Sequence, residues 1–135
     1  MAVIAVDAMG GDNAPFEIVH GGIDAAAHSH DIVLVGDREQ IEPLLRDAGA
    51  DLPRVLASQK IDMSDDPATS IRDKRDASIS VASRLVKSGE ADGLVSAGST
   101  GAAMAAAVFT IGRLPGVSRP AIASYFPSGS VVLDM

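Results

Sequence analysis

Val95-Ser96-Ala97-Gly98-Ser99-Thr100-Gly101-Ala102-Ala103-Met104 passes from a short aliphatic run, through glycines and hydroxyls, into an alanine-rich segment of helical character. Strand, glycine turn, helix is the repeating unit of a parallel α/β sheet. The same order builds an anion site. A helix N-terminus presents unpaired N–H groups and partial positive charge, and glycine lets a phosphate approach the main chain.

Outward from this stretch the pattern repeats. Continuous aliphatic runs at residues 3–6, 32–35, 93–96, 121–124 and 131–133 predict strands buried on both faces, and residues 54–57 predict a weaker strand at an edge. Helices are expected over residues 15–27, 39–47, 67–75, 78–87 and 100–111. In the fourth, Ile79, Ala82, Leu85 and Val86 share a face and Gly89 supplies the stop. The fifth has no polar face, which predicts burial under other helices or in a subunit contact. The alternation predicts a mostly parallel sheet covered on both sides, in one domain spanning residues 1–135.

Composition narrows the function. Only three Phe and one Tyr occur in 135 residues, so the core is aliphatic and aromatic stacking on nucleobases is disfavoured. A formal net charge of −7 disfavours nonspecific nucleic-acid binding. With no cysteine, disulfides, thiol catalysis and Cys-based metal sites are excluded, which fits a reducing cytoplasm. His28 and His30 straddle one loop and read as solvated residues, so no metal site is expected. No apolar run reaches the ~20 residues that span a bilayer, and Met1 to Asp7 lacks the basic start of a signal peptide.

Ligands of open α/β sheets collect where strands release their carboxyl ends. Four segments are expected on that rim: Asp7-Ala8-Met9-Gly10-Gly11-Asp12, Gly36-Asp37, Ser96 to Gly101, and Asp134. In the first, Gly10 and Gly11 can admit a ligand that Asp7 or Asp12 orients, or the segment is a plain turn into a helix opened by Pro15 and capped by Asn13 or Asp12. Asp66 and Pro67 read as the cap and first residue of another helix. Beyond it Arg72, Lys74 and Arg75 form the densest basic cluster, either a solvated face paired with Asp73 and Asp76 or an anion-recognition patch.

No Lys follows Gly101, so the loop is no Walker A motif, and Gly98-Ser99-Thr100-Gly101 lacks the dinucleotide fingerprint. Ser96, Ser99 and Thr100 sit in no Gly-x-Ser-x-Gly elbow. No catalytic residue is assigned.

Taken in order, Ala5-Val6-Asp7-Ala8-Met9-Gly10-Gly11-Asp12-Asn13-Ala14-Pro15, Leu34-Val35-Gly36-Asp37, Ser64-Asp65-Asp66-Pro67, Ser96-Ala97-Gly98-Ser99-Thr100-Gly101-Ala102 and Val131-Val132-Leu133-Asp134 resemble the bacterial phosphate acyltransferase family, PlsX. The resemblance implies a Rossmann-like three-layer α/β/α fold. It implies an acyltransferase of phospholipid and fatty acid metabolism that moves a fatty acyl group from acyl carrier protein to inorganic phosphate, giving acyl phosphate. It also implies a cytoplasmic homodimer loosely associated with the membrane, working without an organic cofactor. Carried over residue by residue, Gly98, Ser99, Thr100 and Gly101 become candidates for phosphate or thioester contact, and Arg72, Lys74 and Ser78 match a polar segment that could complete the anion site.

At Ser99 the family pattern has Asn. Serine loses the amide's reach and paired donors, which matters if that group touches substrate and little if it only caps the helix. The resemblance covers the first two-fifths of a family member, with the fold incomplete after Asp134, so the chain reads as a fragment with little transacylase activity by itself. Two other readings stay open: a phosphotransacetylase-like enzyme using coenzyme A, and a truncated noncatalytic anion-binding domain. Because carrier protein and chain are both acidic, a local patch at Arg72, Lys74 and Arg75 is expected to attract the carrier.

Overall fold

Four of the aliphatic runs line up side by side in the computed structural model, which describes residues 1–134. Strands β1 (Val3–Asp7), β2 (Asp31–Gly36), β3 (Arg54–Leu56) and β4 (Gly93–Val95) form one sheet in the order β3-β2-β1-β4. Every pairing in it is parallel: Val3 faces Asp31, Leu34 faces Arg54 and Ile4 faces Gly93. Parallel neighbours need crossovers, and the helices α1 (Phe16–Ala27), α2 (Arg38–Asp47), α3 (Pro67–Asp73), α4 (Ser78–Ser88) and α5 (Thr100–Ala106) occur in that alternating order.

The two-residue period of the strands divides the core. Ile4, Val6, Ile32 and Leu34 pack toward Val19 of α1 and Ile41 and Leu45 of α2. Val3, Ala5 and Val35 face the other way, onto Val81, Ala82 and Leu85 of α4. Leu34, Val35 and Val19 are fully buried, and each such aliphatic side chain contributes about 1.5–3 kcal/mol. Beyond the sheet, Ile71, Ile79, Ala102 and Ala106 bind α3, α4 and α5 to one another.

The helix signals are read correctly at several ends. Asp66 caps α3, its Oδ1 accepting from the Thr69 amide at 2.8 Å, and Pro67 follows as the first helical residue. Gly89 closes α4 at φ 81°, and β3 is an edge strand. Helix α1 differs: it begins after Pro15, which follows a cis peptide bond, and neither Asp12 nor Asn13 caps it with a side chain.

Three further expectations are corrected. The segment 100–111 is α-helical only to Ala106 and then widens into a π-helical turn, Ala107–Ile111. Only one of its faces is buried, through Ala102 and Ala106, while Phe109 is 67% exposed. At the other sheet edge Val95 is exposed rather than buried on both faces. Lastly, β5 (Ile122–Tyr125) and β6 (Val131–Asp134) form a separate antiparallel hairpin with exposed faces. Asp134 is therefore not released at the rim of the parallel sheet. Met135 lies outside the described residues.

Candidate functional site

The strand order decides where a ligand can sit. The chain builds outward from β1 to β2 to β3, then returns past β1 to place β4 on its other side. Beyond the carboxyl ends of β1 and β4 the following loops diverge, and this reversal point is where open α/β sheets bind ligands. The loops there are those of Asp7 to Asp12 and Ser96 to Gly101.

A chain of hydrogen bonds fastens these loops. The Gly98 amide donates to Ser96 Oγ at 3.1 Å, and the Ser96 hydroxyl donates to Asp7 Oδ2 at 2.7 Å. Asp7 is 3% exposed, and its Oδ1 accepts from the Met9 amide at 3.3 Å. The glycines permit this closeness. A Cβ on Gly10 would stand 2.5 Å from Asp7 Oδ2 and 2.9 Å from Ser96 Oγ, and one on Gly98 would stand 3.2 Å from the Gly10 Cα. Gly101 meets Pro67 in the same manner, its hypothetical Cβ 2.8 Å from the proline ring. Here the absent side chain serves the packing of α3 on α5.

Ser99 caps α5, its Oγ accepting from the Ala102 amide at 3.3 Å. That is the role in which serine replaces asparagine with little loss. Ser78 lies at the start of α4, buried, with its amide donating to Gln59 O. Asp7, Gly10, Ser78, Ser96, Gly98 and Ser99 thus surround one small enclosed space of about 10 Å³. It holds a single water at most.

The room for a ligand is next door. An open cleft of about 230 Å³ is lined by Met9, Gly11, Asp12, Gly98, Lys60 and Asp62, among others. Lys60 brings its cation there, with Asp62 at 3.1 Å. Gly11, at φ 114°, holds a conformation that suits glycine, and its backbone lies against Ala97.

The sequence of the chain matches relatives of known description. A family model described as "Fatty acid synthesis protein" matches residues 2–135. The chain belongs to the fatty acid synthesis protein family. A phosphate acyltransferase of Heliobacterium modesticaldum is 54% identical across 98% of this chain and 42% of its own length. Those of Pelotomaculum thermopropionicum and Desulforamulus reducens are 52% and 49% identical, across 97% and 98% of the chain and 40% and 41% of their own lengths. The chain therefore spans about two-fifths of the length of these curated relatives.

In this member of the fatty acid synthesis protein family, the basic cluster of the sequence divides. Lys74 turns to Asp65, Nζ to Oδ2 at 2.6 Å, and also donates to Lys60 O at 3.3 Å. The Lys74 side chain holds the Asp65 carboxyl below its ordinary range. Lys74 thus braces the loop carrying Lys60. Arg72 and Arg75 face elsewhere, into a cavity shared with Arg84. Lys60 itself escaped sequence reasoning, because it follows the weakly patterned edge strand β3. Counting the loop after β3 as part of the rim would have found it.

Proposed function

We propose that this chain forms the phosphate-binding part of an acyltransferase that moves a fatty acyl group from acyl carrier protein to inorganic phosphate, releasing acyl phosphate. The observation that carries the reading is the reversal-point crevice, where Gly11, Gly98 and Lys60 border an open cleft with room for phosphate beside two loops that hydrogen bonds fasten together. In the reaction a phosphate oxygen attacks the thioester carbon, a C–O bond forms, the C–S bond breaks, and the thiolate leaves. The carbonyl oxygen gains charge on the way, and a nearby cation such as that of Lys60 stabilises such charge. Lys60, paired with Asp62 at 3.1 Å, sets one cation against the two carboxylates of Asp12 and Asp62 and so offsets part of the repulsion they impose on the anion. Asp7 holds the Ser96 hydroxyl and through it the Gly98 amide, so it positions the crevice without touching phosphate.

The reading extends to a cytoplasmic homodimer working beside the membrane. Among the described residues no helix is long and apolar enough to cross one.

A chimera of this chain with the remaining part of the Heliobacterium modesticaldum relative, given acyl carrier thioester and phosphate, is expected to form acyl phosphate. Lys60→Ala should raise the KM for phosphate about tenfold, the effect of removing one charged contact of roughly 1.4 kcal/mol. A folded chimera that consumes coenzyme A thioester but not carrier thioester identifies the coenzyme as donor instead. One that consumes neither overturns the reading.

A further inference from the structure

A second cavity, beside α3 and α4, shares no lining residue with the crevice. Its volume is about 660 Å³, within the ordinary range for small-molecule sites, and its walls include Arg72, Arg75, Arg84, Ile71, Thr69 and Phe109. In a chain of net charge −7 this gathers three guanidinium groups around one hollow. Arg84 is fixed there, Nη1 donating to Arg75 O at 2.7 Å. Arg72 meets Asp73 through Nε at 3.0 Å. Arg75 enters no ion pair among the described residues, and Asp76, the other nearby carboxylate, is taken up by the hydroxyl and amide of Ser58. Asp73 and Asp76 thus offset the charges of Arg72 and Arg84 in part, and Arg75 is the cation at the hollow that has no carboxylate partner among the described residues.

The opposite wall is apolar. Phe109, 67% exposed on the π-helical turn, and Ile71 present hydrocarbon beside the guanidiniums. Arginine forks match phosphate oxygens in pairs, and an uncovered aromatic gains by being covered with alkyl chain. We propose that this cavity is a second binding site, for a terminal phosphate group carried on an aliphatic chain, as an alkyl or an acyl phosphate. The phosphate sits among Arg72, Arg75 and Arg84, and the chain lies over Ile71 and Phe109. A concave site of this size suits a small amphiphile better than the convex helix of an acidic carrier protein. The inference rests on the proposed acyl transfer only for its natural occupant, because the product of that reaction is a phosphate on an aliphatic chain.

The test is calorimetric titration of the full chain with n-octyl phosphate below its micellar concentration, with inorganic phosphate, n-octanol and acyl carrier protein as parallel arms. Octyl phosphate is expected to bind at least about tenfold tighter than either fragment, as joined polar and apolar contacts require. Arg75→Gln should weaken octyl phosphate about tenfold, and Phe109→Ser should weaken it while leaving inorganic phosphate unchanged. Equal affinity for octyl phosphate and inorganic phosphate, or unchanged affinity in an Arg75→Gln protein of native circular dichroism, overturns the proposal. So does Arg75-dependent binding of the carrier, or of phosphatidylglycerol vesicles, without binding of octyl phosphate. None of these readouts involves turnover, so their failure is distinct from that of the chimera assay.

Discussion

Gly10 is the residue on which the candidate site is most tightly built. A methyl group there meets the buried Asp7 carboxylate and the Ser96 hydroxyl that is hydrogen-bonded to it. Gly10→Ala is expected to destabilise the chain by about 1–3 kcal/mol, as overpacking does, measured by urea unfolding. Ser99 behaves differently, since its Oγ caps α5. Ser99→Ala should lose about 1 kcal/mol, whereas Ser99→Asn should be close to neutral. Of the site residues, the glycines and hydroxyls after β1 and β4 were legible from their order after a strand. Lys60 was not, because a lysine in an irregular run carries no signal until the sheet order shows which strand it follows. Lys74 misled for a related reason: adjacency to Arg72 and Arg75 says nothing of direction once α3 ends at Asp73 and the backbone turns.

At the scale of elements, carboxylates hold the segment between β3 and α4 in place. Lys74 lowers Asp65, the Thr69 side chain and amide lower Asp66, and the Ser58 hydroxyl and amide, with the charge of Arg84, lower Asp76. A carboxyl that ionises more readily in the folded state stabilises it fully above the unfolded value of about 4, and that contribution is lost as pH falls through the lower folded value. Tm should hence decline as pH drops below about 4, and Asp76→Asn should lower Tm at neutral pH while flattening the acid limb. An identical acid limb in that variant would show that Asp76 plays no part. Helix boundaries here were readable because Asp66-Pro67 and Gly89 are chemical stops. The hairpin of β5 and β6 was misread because a short aliphatic run such as Val131-Val132-Leu133 has the same composition whether or not anything covers it.

Across the whole molecule, two half-cores on opposite faces of one parallel sheet follow from the alternation along β1 and β2, and a sheet covered on both sides was legible from continuous aliphatic runs that alternate with helical segments. The strand order was not, because nothing local distinguishes a neighbour of β1 from a neighbour of β3. That order governs how the crevice is assembled in time. Strand β1 first finds β2 across a single helix, but Ser96 and Asp7 are 89 residues apart. Closing so long a loop is entropically late, and contacts of high sequence separation slow folding. Ser96→Ala is therefore expected to accelerate unfolding and leave the refolding rate nearly unchanged, a φ-value near zero by stopped-flow measurement. A polypeptide emerging from the ribosome would then carry a nearly finished sheet before it has any crevice. The chain acquires the crevice proposed for phosphate in one late step, when β4 docks.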